Sequence, residues 1–166
     1  RLASVLEDRL RGLILISATP GIRDVIERSE RIAKDSILAR RIENEGVAWF
    51  TDFWSKQPII QSQQSIDAKV WLDMQRRRRS NRAMGLANTL RGLGQGTVEP
   101  VWSSLSRITA PVLLITGSND PKYTDIAVAM GREFLNASHH VLAGAGHAPH
   151  LEQPVQCSGL VSTFVE

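Results

Sequence analysis

A chain of 166 residues, 42% apolar and 22% charged, is long enough for one ordinary globular domain with a sizeable core, which excludes a disordered tail. The single Cys157 excludes an internal disulfide and points to a reducing, cytoplasm-like setting. The longest apolar runs, residues 13–16 and 112–115, fall far short of the roughly 20 residues a bilayer span requires, so a soluble chain with no membrane partner is expected.

The opening Arg1-Leu2-Ala3-Ser4-Val5-Leu6 reads as part of a helix. After a turn at Arg11-Gly12 comes a buried strand over residues 13–17, which ends in Ala18-Thr19-Pro20-Gly21. From residue 22 to about 95 the pattern is helical. Over residues 22–45, Val25, Ile26, Ile32, Ala33, Ile37, Leu38 and Ile42 form a stripe close to a 3.6-residue period, and Gly46 follows as a C-cap. A short aromatic helix over 47–56 stops before Pro58. A Gln/Ser-rich connection leads to helices over 66–79 and 83–90, the latter ending in Gly92-Leu93-Gly94-Gln95-Gly96.

The cluster Arg76-Arg77-Arg78-Arg79, with Arg82 close behind, accounts for much of the net charge of +3. With Asp67 and Asp73 nearby and no interleaved aromatics, it reads as a solvated helix rather than a nucleic-acid surface. Some of these arginines could instead face a small anionic substrate.

Beyond Val101 the sheet pattern resumes. Pro111-Val112-Leu113-Leu114-Ile115-Thr116-Gly117 is a buried strand, 123–135 a helix, 139–142 a short strand and 154–165 a closing helix. Strands and helices alternating without hairpin signals require crossovers, hence a parallel α/β sheet. The helical block, residues 22–96, is then a lid inserted into a core formed by residues 1–21 and 97–166.

Two loops carry the chemistry. Gly117-Ser118-Asn119-Asp120 places Asp120 just past a strand end, where open α/β sheets put their functional groups. Its catalytic role would be to accept the imidazole Nδ1 proton; taken alone, it reads rather as a turn residue. Gly144-Ala145-Gly146-His147 does the same for His147, which is followed by Pro149-His150-Leu151-Glu152-Gln153-Pro154. An acid and then a histidine, each after a strand, is the order that closes the Ser-Asp-His triad of α/β-hydrolases. No Gly-x-Ser-x-Gly elbow occurs in the chain, which reads as the back part of such an enzyme, without turnover on its own. His139 and His140 belong to the preceding strand, and His150 either covers the substrate or begins the last helix. No residues have the spacing of a metal site, and no motif implies a cofactor.

Several stretches resemble one family of α/β-hydrolase-fold lyases, the 2-succinyl-6-hydroxy-2,4-cyclohexadiene-1-carboxylate synthases of menaquinone and phylloquinone biosynthesis. They are Leu15-Ile16-Ser17-Ala18-Thr19-Pro20-Gly21-Ile22, Glu27-Arg28-Ser29-Glu30-Arg31-Ile32-Ala33-Lys34-Asp35, Phe53-Trp54-Ser55-Lys56-Gln57-Pro58, Leu86-Ala87-Asn88-Thr89-Leu90-Arg91-Gly92-Leu93-Gly94-Gln95-Gly96 and Pro100-Val101-Trp102, together with the two catalytic loops. The resemblance implies pyruvate elimination with serine as the base, no cofactor, and a small polycarboxylate substrate. It implies binding roles for Arg1, Arg31 and Trp54, and matches Lys122 to a recurrent lysine beside the acid. Solvated surface for the arginines and core packing for Trp54 are the alternatives. Two other functional readings stay open: an esterase or carbon–carbon hydrolase using the same pair, and a non-catalytic module. The expected compartment is the cytoplasm, or a plastid if the source is photosynthetic; the sequence leaves the oligomeric state open.

Overall fold

The structure is a computed structural model that describes Ala3 and residues 9–166; Arg1 and most of the opening helix lie outside the described residues. In chain order the elements are β1 (Leu13–Ile16), α1 (Val25–Ser55), α2 (Pro58–Gln61), a 3-10 turn (Ser62–Ser65), α3 (Ala68–Arg79) and α4 (Ala83–Leu93). A 3-10 segment (Trp102–Arg107), β2 (Val112–Gly117), α5 (Pro121–Glu133), β3 (Ala137–Leu142), α6 (Pro149–Glu152) and α7 (Pro154–Val165) follow. The chain divides into two compact units, Arg1–Pro20 with Val101–Glu166, and Gly21–Pro100. Among the described residues no helix is long and apolar enough to cross a membrane.

In the first unit the strands form a parallel sheet in the order β1-β2-β3, with Leu13 opposite Val112 and Val112 opposite Ala137. Every residue of β2 is buried. Because side chains alternate across a strand, Val112 and Leu114 pack with Ala127, Met130 and Phe134, while Leu113 and Ile115 pack with Leu142, Ala145 and Cys157. Burial on both faces explains why β2 is an unbroken apolar run rather than an alternating one. The strand expected to be buried at 13–17 is shorter, and the side chains of β1 are each partly exposed. Ser17, the next residue, has a positive φ of 43° and a buried hydroxyl with no partner among the described residues.

In the second unit α1 is interrupted at Gly46, whose φ of 85° and ψ of 176° lie outside the helical region, so it comprises two helices meeting where the sequence predicts a stop. The expected apolar stripe is corrected. Val25 and Ile26 are 71% and 72% exposed, Ile32 and Ile37 are exposed as well, and the buried positions are Asp35, Ala39, Ile42 and Thr51. A bidentate pair, Arg91 to Glu43 at 2.6 and 2.7 Å, ties α4 to α1. Arg28 grips Glu99 in the same way at 3.0 and 2.6 Å. The Gln/Ser-rich connection contains the short α2 and the 3-10 turn, and the closing helix is preceded by α6, which the sequence pattern does not separate from it.

At the carboxyl end of β2 the chain passes directly against the following loop. A β-carbon on Gly117 would collide with the carbonyl oxygens of Ala145 and Gly146. Ser118 N–H donates to the Leu142 carbonyl at 3.0 Å and Asn119 N–H to the Ala145 carbonyl at 2.9 Å. Two side chains close the seam: Asn119 Nδ2 donates to the Gly144 carbonyl at 3.0 Å, and Ser118 Oγ accepts from Gly144 N–H at 2.9 Å. Gly144 itself has a φ of 75°, the left-handed region that favours glycine. Since the atoms blocking Gly117 are backbone, Gly117→Ala is expected to lower unfolding stability by ~1–3 kcal/mol or more, as forced overpacking does. Urea denaturation measures it, and a loss below a few tenths of a kcal/mol would contradict the close approach.

Candidate active site

The seam between the two loops brings Asp120 to His147. His147 Nδ1 lies 2.7 Å from Asp120 Oδ2. A carboxylate only accepts, so this bond places the imidazole proton on Nδ1 and leaves the Nε2 lone pair free to act as a base. Asp120 is 7% exposed, and its other oxygen accepts the Tyr123 N–H at 3.3 Å, capping α5. Its two oxygens therefore serve two purposes, one holding the helix and the other the histidine. The Tyr123 ring meets the imidazole edge-on, with centroids 4.4 Å apart. Together these contacts fix the ring from two directions.

The segment around His147 is held from the other side by Glu152. Its Oε2 accepts the Gly146 N–H at 2.7 Å and its Oε1 the Ala148 N–H at 3.0 Å. Neither Glu152 nor Tyr123 is singled out by sequence reasoning. The available signal was their position, one three residues after the acid and the other five after the histidine. His150 lies exposed in α6, and His139 and His140 lie on β3 as expected. His139 Nε2 bonds Thr116 Oγ1 at 2.8 Å, and burial, followed by the charge of His140, pushes its pKa below the ordinary histidine value.

The remaining candidates fall in different places. Lys122 is exposed in the first turn of α5, with no hydrogen bond or ion pair among the described residues. Arg1 lies outside the described residues. Arg31 and Trp54 come together within the helical unit, lining a groove of about 510 Å³ with Lys34, Asp35 and Gln57. Arg31 is half-buried there. Its Nε donates to Asp35 Oδ1 at 2.9 Å and its Nη1 to Gln95 Oε1 at 3.0 Å, which leaves Nη2 without a protein partner among the described residues. Trp54 stacks on Phe50 with centroids 5.7 Å apart, so packing and groove lining coexist.

The arginine cluster is not uniform. Arg76 and Arg77 pair with Asp73 and Arg79 pairs with Asp52, as a solvated helix would. Arg78 turns inward over Trp71, 5.8 Å from the ring centroid, with Nη2 3.4 Å from Gln63 Oε1. Its Nη1 and the nearby Gln75 Nε2 are buried without an acceptor among the described residues, and burial lowers the guanidinium pKa. A signal existed in the sequence: Trp71 and Arg78 are two helical turns apart and share a face. Among the described residues no group of three or more His, Cys, Asp or Glu could hold a metal ion.

The dual role of Asp120 has a measurable consequence. Asp120→Asn keeps an acceptor for the Tyr123 N–H, whereas Asp120→Ala removes the cap. Asp120→Ala is therefore expected to be less stable than Asp120→Asn by roughly 0.5–2 kcal/mol. Equal denaturation midpoints for the two variants would contradict the capping role.

Comparison with known proteins places this geometry. A model described as the alpha/beta hydrolase family matches residues 2–159. The chain is 35% identical, over 95% of its length, to a Bacillus subtilis (strain 168) protein provisionally named 2-succinyl-6-hydroxy-2,4-cyclohexadiene-1-carboxylate synthase. It is 25% identical over 94% of its length to the synthase of that name from Serratia proteamaculans (strain 568). It spans 58% of the length of each of these relatives. A solved structure described as MenH from S. aureus superposes with a TM-score of 0.93 at 27% identity, covering 99% of this chain and 64% of that one. With the family model spanning nearly the whole sequence over a parallel sheet whose strand ends carry Asp120 and His147, the chain belongs to the alpha/beta hydrolase family.

Proposed function

We propose that this chain forms the acid- and histidine-bearing part of a lyase that eliminates pyruvate from 2-succinyl-5-enolpyruvyl-6-hydroxy-3-cyclohexene-1-carboxylate, giving 2-succinyl-6-hydroxy-2,4-cyclohexadiene-1-carboxylate. The observation that carries the reading is the 35% identity, along 95% of the chain, to a protein named for that product. In this reading His147, held by Asp120, makes a serine hydroxyl basic, and the serine comes from the part of the relatives' length that this chain does not span. The serine oxygen takes a ring proton. The electron pair released forms the new ring double bond, the carbon–oxygen bond to the enolpyruvyl group breaks, and the departing enolate is protonated to pyruvate. Asp120 stabilises the imidazolium that forms when His147 accepts the serine proton.

The substrate carries several carboxylates, and the helical unit, the lid of this reading, offers guanidinium groups to them. Arg31 presents Nη2 in a plane fixed by Asp35 and Gln95, and Trp54 lines the same groove. Arg78 has a buried Nη1 with no acceptor, an arrangement that a carboxylate would complete. Arg1 and Lys122 retain the binding roles that the resemblance implies. A polycarboxylate does not cross a bilayer unaided, so the reading puts the enzyme in the compartment where its substrate is made, the cytoplasm or, in a photosynthetic source, a plastid.

An assay of pyruvate release tests the reaction directly. The complete protein is expected to release pyruvate from the enolpyruvyl substrate, and the purified 166-residue chain to release none. Ester cleavage without pyruvate release would replace the lyase with a hydrolase. Arg31→Ala and Arg78→Ala are each expected to raise KM by on the order of 10-fold or more, a charge-assisted bond being worth roughly 1.5–3 kcal/mol. Arg77→Ala, which removes an exposed pair with Asp73, should leave KM within about twofold, as surface pairs contribute little. Equal KM values for all three variants would remove Arg31 and Arg78 from the binding site.

A further inference from the structure

We infer that Glu152 is the positioning residue of the catalytic histidine, its carboxylate bracketing His147 by holding the peptide amides on both sides of it. The inference rests on the reading of Asp120 and His147 as a catalytic pair, and not on which substrate the pair serves.

The bond to Asp120 is a single contact at 2.7 Å, about which an imidazole can still swing. What limits the swing is the backbone that carries the ring. Glu152 Oε2 takes the Gly146 N–H at 2.7 Å and Oε1 takes the Ala148 N–H at 3.0 Å, so the backbone amides of the residues on either side of His147 are anchored to one rigid group. That group is itself fixed. Glu152 N–H donates to the Ala148 carbonyl at 3.0 Å, closing the turn of α6, which begins at Pro149 with its preset φ. On the opposite side the Ala145 carbonyl accepts the Asn119 N–H at 2.9 Å. The Ala145–Gly146 peptide is thus held at both its carbonyl and its N–H and the His147–Ala148 peptide at its N–H, and Glu152 supplies two of these three bonds. Each of its oxygens is engaged by a loop amide, so it acts through His147.

The chemistry of the carboxylate is specific. Two N–H donors converge on one side chain, and only a group with two acceptor oxygens satisfies both. An amide in the same place satisfies one donor and turns its NH2 against the other. Glu152→Gln is therefore nearly isosteric yet breaks the bracket.

Proton NMR of the complete protein provides a test that needs no substrate. The His147 Nδ1 proton, hydrogen-bonded to a carboxylate, should give a sharp low-field resonance that is absent from Asp120→Ala. In Glu152→Gln this resonance is expected to broaden or disappear, and in pyruvate-release assays kcat to fall on the order of 100-fold with KM within twofold, as small misplacements of a catalytic group do. A resonance as sharp as in the unmodified protein, or a kcat within twofold of it, overturns the inference. Should Glu152→Gln fail to fold, amide exchange in the unmodified protein decides: protection of Gly146 and Ala148 N–H supports the bracket, and rapid exchange at either overturns it. If the unmodified protein releases no pyruvate, the lyase reading fails alone, and the resonance still decides the role of Glu152.

Discussion

Where β2 leaves the sheet at Gly117, the carbonyls of Ala145 and Gly146 occupy the space a β-carbon would need, and two segments 28 residues apart in sequence run against each other as bare backbone. That closeness allows the Ser118 and Asn119 amides and side chains to bond the loop after β3. A wider separation would break four hydrogen bonds together and carry His147 away from Asp120. The hydrogen-bond geometry of the site is thus a consequence of backbone packing at a strand end. The strand end is in turn fixed because β2 is buried on both faces, against α5 on one side and α7 on the other. The placement of His147 against Asp120 descends from a fully buried strand through one side-chain-free contact to a single 2.7 Å bond.

The charged groups of the helical unit follow a different logic. Exposed pairs such as Arg76 with Asp73 and Arg79 with Asp52 contribute ~0–1 kcal/mol each, and water replaces either partner at little cost. Buried groups cannot be treated in this way. An unsatisfied buried donor costs ~1–3 kcal/mol, and both Arg78 Nη1 and Gln75 Nε2 are in that position. Asp35 presents the complementary case: it is 5% exposed, one oxygen fixes Arg31, and the other has no donor. A fold that tolerates these unmet groups within one small helical unit carries a local destabilisation that a bound carboxylate would relieve at Arg78. The same arrangement sets how Arg31 can act. With Nε and Nη1 engaged, the guanidinium is held in a defined plane, so little rotamer entropy remains to be lost when Nη2 meets a ligand.

The sheet and the meeting of Asp120 with His147 were legible in the sequence because each depends on local chemistry. An unbroken apolar run such as residues 112–115 has few alternatives to a strand buried on both faces. An acid and a histidine in the loops after two neighbouring parallel strands fall at the same end of the sheet, where the close contact at Gly117 brings them together. The apolar stripe of α1 misled for a physical reason: a 3.6-residue period shows which side chains share a helix face, but not whether protein covers that face. Val25 and Ile26 are exposed, while Asp35 and Thr51, polar and unremarkable in sequence, are buried. Arg78 was hidden among identical neighbours, since composition cannot show which of four consecutive arginines turns inward. Glu152 was hidden because its partners are backbone amides, which every sequence contains.

The Asp120–His147 couple is indifferent to the use made of the oxygen it activates. Raising the basicity of a serine hydroxyl serves attack on an ester carbonyl as well as removal of a ring proton, and the geometry of the pair is the same for both. Selection between them must come from what else the site binds and what it keeps out. An ester hydrolase needs a second substrate, water, at the acyl intermediate; an elimination needs only that the substrate's carboxylates be neutralised and its ring proton face the base. Guanidinium groups held in fixed planes or buried without acceptors suit the second requirement, because they place charge without inviting a hydration shell along with it. On the proposed reading, what would favour elimination over hydrolysis lies not in the Asp120 and His147 loops but in guanidinium groups such as those of Arg31 and Arg78.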